Sequence, residues 1–283
     1  MPLTPKVILD GLVFPEGPRW RDGKLWFVDM MGKKVMTVDP EGHSELLTEM
    51  DDMPSGLGWM PDGTFLIVSR FKRQVLKLDA NGLHVHADLT GHAESSLNDM
   101  VVDSQGRAYV DAYHNPRTDD PGTAPGSVVL VTPDGTPRTV AEDLVSPNGS
   151  VITPDGKTYI VAQTRASELT AFDIEEDGSL SNRRPFAKLD EKVPDGICLD
   201  AEGAIWVGSY RTGEFLRVKE GGEVTDRISY EDKLAVACML GGEDRRTLFL
   251  LTGTVPPSAT DTKEPPMGWI ETVRVDVPGA GLP

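Results

Sequence analysis

Four oxygen-bearing side chains stand at the same place in a recurring tripeptide. They are Glu16 in Pro15-Glu16-Gly17, Asn98 in Leu97-Asn98-Asp99, Asn148 in Pro147-Asn148-Gly149 and Asp195 in Pro194-Asp195-Gly196. Two carboxylates and two amides brought to one point make a hard oxygen site. Such a site suits Ca²⁺ first, with Mg²⁺, Mn²⁺ or Zn²⁺ as alternatives. Without a cation the two carboxylates repel each other. A divalent ion held there can polarise a carbonyl or phosphoryl oxygen and acidify a water. A carboxylate with an oxygen to spare can act as general base or nucleophile. Asp195 is the candidate for that role, because an asparagine takes no proton and Glu16 lies in the tighter Phe14-Pro15-Glu16-Gly17 turn. The sequence leaves open which of the two carboxylates is the spare one. None of the histidines His43, His84, His86, His92 and His114 stands at such a position, and no His/Cys group has zinc-ligand spacing.

For these side chains to meet, the strands that carry them must surround an axis, and the repeat provides this. Pro54-Ser55-Gly56 and Ala237-Cys238 complete a set of six strand starts, spaced 39 to 50 residues apart. Each start is followed by a turn: Asp22-Gly23, Asp62-Gly63, Gln105-Gly106, Asp155-Gly156, Glu202-Gly203 and Glu243-Asp244. Further short runs rich in Val, Ile, Leu and aromatics come next, such as Leu25–Asp29 and Lys34–Asp39, or Phe65–Ser69 and Val75–Asp79. Runs of this kind bounded by Gly, Asn and Asp are strand and hairpin signals. No segment holds a helical period. A period of about 40–50 residues with several strands per unit predicts propeller blades. The expected fold is all-β: residues 1–283 as a single six-bladed β-propeller domain with four antiparallel strands per blade. Residues 6–10 are expected to join the last blade beside Glu271–Asp276, hiding an open sheet edge.

Composition narrows the partners. A net charge of −17 disfavours nucleic acid and anionic membrane. The 29 glycines and 22 prolines in 283 residues, about half again the usual share, suit many short strands and turns. No apolar run reaches the length of a membrane span, and Met1–Lys6 has no secretory-signal pattern. Cys198 and Cys238 are too few for a disulfide framework and read as buried free thiols. The expectation is a cytoplasmic protein, a monomer or weak homodimer, acting on a small molecule.

The ends of the second strands bring Met30-Met31, Arg70-Phe71, Tyr113-His114, Arg165 and Tyr210-Arg211 to the face where the axial site opens. Arginines there suit an anionic or oxygen-rich substrate, and aromatics and Met its apolar part. Asn98, Tyr113, Arg165 and Tyr210 are the candidate substrate contacts. The long loops 114–126 and 253–268 read as a partial lid.

Four motifs run in order along nearly the whole chain. They are Phe14-Pro15-Glu16-Gly17-Pro18; Leu97-Asn98-Asp99 with Asp103 and Gly106-Arg107; Ser146-Pro147-Asn148-Gly149; and Pro194-Asp195-Gly196 with Asp200 and Gly203. As a set they resemble the gluconolactonase/regucalcin family, also called senescence-marker-protein-30-like, and more distantly the squid-type phosphotriesterases. The resemblance implies a six-bladed propeller hydrolase with a divalent metal on Glu16, Asn148 and Asp195. It implies that Asn98 reaches the metal or its bound substrate and that Asp195 doubles as catalytic base. The implied reaction is opening of a lactone. A phosphotriesterase-like hydrolase with the same metal, or a non-enzymatic metal- or ligand-binding propeller, are the alternatives. An arginine that sugar-lactone members carry two residues before the asparagine is Ser96 here, and His114-Asn115-Pro116 stands where a glutamate is expected. A less polar lactone or ester therefore ranks equal with an aldonolactone.

Overall fold

Tight turns at the foot of each blade set where strands end. Asp103 Oδ1 accepts backbone N–H bonds from Gln105 and Arg107, each 2.9 Å, and Gly106 between them has φ +80°. That conformation is open to glycine at little cost. The same aspartate-led turn recurs at Asp200, which accepts from Glu202 at 2.9 Å and Ala204 at 3.0 Å.

The computed structural model describes residues 3–113, 125–254 and 267–281. Strand β1 (Lys6–Leu12) leads into blade one: β2 (Pro15–Arg21), β3 (Lys24–Asp29), β4 (Lys34–Val38) and β5 (Ser44–Glu49). Blade two is β6 (Pro54–Trp59), β7 (Phe65–Ser69), β8 (Gln74–Asp79) and β9 (Gly82–Asp88). Blade three is β10 (Ser96–Val102), β11 (Ala108–Tyr113), β12 (Pro125–Val131) and β13 (Pro137–Val145). Blade four is β14 (Pro147–Ile152), β15 (Thr158–Gln163), β16 (Glu168–Ile174) and β17 (Leu180–Lys188). Blade five is β18 (Pro194–Leu199), β19 (Ile205–Ser209), β20 (Glu214–Val218) and β21 (Val224–Ser229). Blade six is β22 (Leu234–Gly241), β23 (Thr247–Gly253) and β24 (Gly268–Arg274), with β1 as its fourth, outermost strand. The N-terminal strand thus closes the ring as expected. Among the described residues no helix is long and apolar enough to cross a membrane.

Burial explains the strand sequences. β7 and β19 are buried along their whole length, sandwiched between neighbouring blades, and read as continuous apolar runs. The outermost β5 and β21 face solvent and are polar. The innermost strands β2, β6, β10, β14, β18 and β22 touch in order, and β22 returns to β2. At that last junction Trp20 stacks on Phe249 with ring centroids 5.2 Å apart.

Each innermost strand carries a β-bulge near its start, which re-aims the unpaired residues. The bulges fall after Glu16, between Pro54 and Leu57, Leu97 and Met100, Pro147 and Ser150, and Pro194 and Ile197. The sixth strand departs from the expected start at Ala237-Cys238. It begins at Leu234 and bulges between Ala235 and Ala237, so Val236 stands at the axis. No polar residue marks this blade, and the apolar run Leu234–Leu240 hides its own beginning. The lid loops are also shorter than expected, because Pro125 and Gly126 belong to β12, Gly253 to β23 and Gly268 to β24. Their central residues, 114–124 and 255–266, lie outside the described residues.

The glycine that follows most axial residues has a steric cause. A Cβ on Gly56 would lie 2.5 Å from the Met100 nitrogen, on Gly149 2.7 Å from the Ile197 nitrogen, and on Gly196 2.3 Å from the Ala237 Cβ. Gly56→Ala is therefore expected to lower stability by about 1–3 kcal/mol, the usual cost of overpacking. Gly91→Ala, where a Cβ meets nothing within 4 Å, is the control and should leave the thermal unfolding midpoint nearly unchanged.

Candidate active site

The last residue of a second strand ties down the segment that leads into its own blade. Asp29 Oδ1 accepts from Phe14 N at 2.8 Å, Gln163 Oε1 from Val145 N at 2.7 Å, and Ser209 Oγ from Val193 N at 3.1 Å. The backbone adds a second tie: Met30 N to Phe14 O at 2.8 Å, Thr164 N to Ser146 O at 3.0 Å and Tyr210 N to Val193 O at 2.9 Å. Glu16, Asn148 and Asp195 thus stand on strand starts fixed from both sides.

These ties bring Glu16 and Asp195 close enough for their charges to interact. Asp195 is buried. Burial, and then the charge of Glu16, push its carboxyl well above the usual range, against a hydrogen bond from Asn148. Glu16 is raised to about 7 by burial, with Asp99 adding to the effect and the Gly17 N–H and Arg70 opposing it. Gly17 N donates to Glu16 Oε2 at 2.9 Å. Neither carboxylate has an ion-pair partner among the described residues. Asn148 is oriented by donating from Nδ2 to Thr164 Oγ1 at 3.2 Å, while its Oδ1 accepts from Gly149 N at 2.8 Å.

Asn98 is placed differently. Its Oδ1 accepts from the Arg70 guanidinium, and its backbone oxygen accepts from Ser55 Oγ at 2.5 Å. The guanidinium carbon lies 5.6 Å from the Tyr113 ring centroid and 5.7 Å from that of Phe71. Tyr113 and Tyr210 both feel Asp195 and Glu16. Burial raises the Tyr113 hydroxyl and pushes that of Tyr210 up to about 12. Tyr210 also packs edge-on against Phe14 at 6.3 Å. Arg165 is exposed, and no hydrogen bond or ion pair joins it to these residues among those described. Arg70 belongs to the cluster although the sequence placed it only on the rim. Its position directly after a second strand was the signal; in blade four Thr164 takes that position, and Arg165 stands one residue further on.

Beneath the carboxylates the axis is held by Arg19, which is buried. It donates to Asp99 Oδ1 at 2.9 Å, to Pro18 O at 2.8 Å and to Met100 O. A cavity of about 10 Å³ below it is lined by Arg19, Ser150, Cys198, Met239 and Ala280, room for about one water. The C-terminal segment crosses the foot of the ring there: Ala201 N donates to Pro278 O at 2.8 Å and Ala280 N to Leu199 O at 3.1 Å. Cys198 and Cys238 are buried free thiols with Sγ atoms 3.8 Å apart. Asp111 is fully buried beside Tyr159, which donates to its Oδ1 at 3.4 Å.

Among the described residues no group of three or more His, Cys, Asp and Glu side chains is placed to hold a metal ion. A cation at the axis would take two carboxylates, Glu16 and Asp195, with amide oxygen. That donor set fits a hard divalent ion: the buried Asp195 and the partly buried Glu16 have no ion-pair partner among the described residues, and Asn148 Oδ1 keeps one lone pair beyond the bond from Gly149 N. Asn98 Oδ1 likewise accepts one bond, from Arg70, and keeps one lone pair.

The raised Glu16 carboxyl makes a sign prediction for chelator-treated protein. The unfolded chain gives up this proton near pH 4.5 and the folded chain near pH 7, so stability falls as pH rises across that window. Glu16→Gln is therefore expected to unfold at higher temperature than the parent at about pH 8, by on the order of 1–3 kcal/mol. The difference should shrink toward zero at about pH 4.5, as read by thermal melts.

Comparisons with known proteins bear on this site. The SMP-30/Gluconolactonase/LRE-like region matches residues 14–254. The 6-deoxy-6-sulfogluconolactonase of Pseudomonas putida is 28% identical over 286 aligned residues, covering 98% of this chain and 96% of that protein. Regucalcin of Oryctolagus cuniculus is 27% identical, covering 83% and 81%. In three dimensions the chain is similar to a calcium-binding regucalcin from Agrobacterium tumefaciens, with a TM-score of 0.81, 19% identity and coverage of 100% and 97%. It is also similar to a gluconolactonase from Xanthomonas campestris, with a TM-score of 0.74, 24% identity and coverage of 96% and 90%. With the family pattern matched from the first axial strand to the last blade, the chain belongs to the SMP-30/gluconolactonase/LRE-like family.

Proposed function

We propose that this protein is a lactone hydrolase that opens a cyclic ester at the propeller axis. The observation that carries the reading is the meeting of Glu16, Asn148 and Asp195 at one end of the axis, with both carboxyls raised by burial. Family membership and the extent of the match to a sulfogluconolactonase support it. The whole chain acts as one unit in this reading, since the site draws on blades one, three, four and five.

Glu16, Asn148 and Asp195 would hold one divalent cation, Ca²⁺ before Mg²⁺, Mn²⁺ or Zn²⁺. When bound, such an ion supplies polarisation of the lactone carbonyl and neutralises the paired carboxylates. Asp195 is the general base. It takes a proton from the water whose oxygen attacks the carbonyl carbon. The ring C–O bond then breaks, and the ring oxygen receives that proton back, leaving a hydroxy acid. Asn98 would reach the cation or its bound substrate, and Tyr113, Arg165 and Tyr210 would be the further substrate contacts. Burial of Asp195 excludes bulk water from the proton it carries.

Two measurements test this. Chelator-treated protein is offered aldonolactones and aliphatic γ- and δ-lactones, and proton release is followed before and after adding Ca²⁺. Turnover restored by the cation is expected, and Asp195→Asn should lower kcat by at least about 100-fold. Unchanged turnover in that variant would sink the role of Asp195. Regucalcin relatives and a calcium-binding structural neighbour favour a second reading, a propeller that binds Ca²⁺ without chemistry. Stabilisation by Ca²⁺ at about pH 8 but much less near pH 5, with no lactone opened, is its expected result.

A further inference from the structure

Arg70 is held more firmly than a rim residue needs to be. Its backbone N–H donates to Met53 O at 2.9 Å, and its carbonyl accepts from Leu97 N at 3.0 Å, fixing it between blades two and three. Its guanidinium lies against the Tyr113 and Phe71 rings and gives one Nη to Asn98. Contacts of this kind hold the planar fork in one orientation.

Among the described residues no carboxylate forms an ion pair with that fork. The buried arginines Arg19, Arg107 and Arg217 each meet a carboxylate at 2.6–2.9 Å. Arg70 is half-buried in a chain with 45 acidic and 28 basic residues. It still forms no ion pair among the described residues, although it is near enough to Glu16 and Asp195 to lower the proton affinity of both. An arginine has five N–H donors, and one of these is spent on Asn98.

We propose that Arg70 forms a subsite for an anionic oxygen substituent of the substrate, such as a carboxylate or sulfonate carried by the lactone away from its ring carbonyl. The reaction it would serve rests on the lactonase reading, but the binding does not. A rigid guanidinium fork matches a two-oxygen anion through paired N–H bonds. The neighbouring carboxylates repel such an anion, so the guanidinium both attracts it and sets where it can lie. Arg70 is then the specificity-determining residue of the site, supplied by blade two, where buried Ser96 on blade three has no charge to offer.

The test compares two lactones with the same ring, glucono-δ-lactone and glucaro-δ-lactone, which differ by a hydroxymethyl or a carboxylate. The parent should prefer the carboxylate-bearing lactone in kcat/KM. Arg70→Gln should remove about 10- to 100-fold of that preference, the usual worth of charge-assisted hydrogen bonds, and Arg70→Lys should keep part of it. Equal slowing of both lactones by Arg70→Gln would reduce Arg70 to positioning Asn98 and would overturn the proposal, as would a parent that prefers the neutral lactone. Calorimetric binding of methyl glucuronide against methyl glucoside, which differ by a carboxylate or a hydroxymethyl on the same ring, gives a readout without turnover, with thermal melts confirming that the variants fold. Tighter glucuronide binding in the parent that is lost in Arg70→Gln supports the subsite even if no lactone is opened. Equal binding of the two glycosides by the parent, or none, overturns it.

Discussion

Crowding at the propeller axis is the constraint on which the rest of this structure depends. On four of the six innermost strands there is no room for a Cβ beside the axial residue, so glycine follows Glu16, Ser55, Asn148 and Asp195. The bulge at the same place leaves Ser55, Asn148 and Asp195 outside the strand pairing and begins directly after Glu16. Two carboxylates are then forced into a buried space where both resist ionisation. Left alone this costs stability. A proton or a cation would relieve it, and that is the physical link between the fold and the proposed chemistry of the site.

The axis is organised in layers of charge. Below the carboxylates, Arg19 is closed off by Asp99 and by two backbone carbonyls, so its charge is already met. It serves as a neutral floor, sealed further by the C-terminal segment across the foot of the ring. Above, Arg70 is stacked on aromatic faces and forms no ion pair among the described residues. Two guanidiniums near the same pair of acids therefore have opposite characters. The difference comes from which neighbour each strand start supplies: an aspartate at 99, an asparagine at 98.

Blade six shows where a repeat stops being readable. Five strand starts carry a small polar or acidic residue that marks the register. The sixth is an unbroken apolar stretch, and only the pairing of β22 with β23 places its bulge at Val236. The same limit applies to the rim. Arg70 directly follows its second strand and is clamped over Tyr113, whereas Arg165 stands one residue further past its own strand and is exposed. Strand pairing sets that one-residue offset, which the apolar runs by themselves do not fix.

The repeat spacing, the aspartate-glycine turns and the buried second strands were enough to specify six blades and a closing N-terminal strand, because each is a local demand of turn chemistry or of a doubly covered strand. They were also enough to name Glu16, Asn98, Asn148 and Asp195, since rotational symmetry brings equivalent positions to one axis whatever lies between them. Tertiary structure alone decided what each of the four faces. It turned Asn98 to Arg70, held Asn148 on Thr164, and set Glu16 and Asp195 against each other. Those outcomes depend on distances of a few ångströms between residues tens of positions apart, and the order of residues along the chain does not encode such distances.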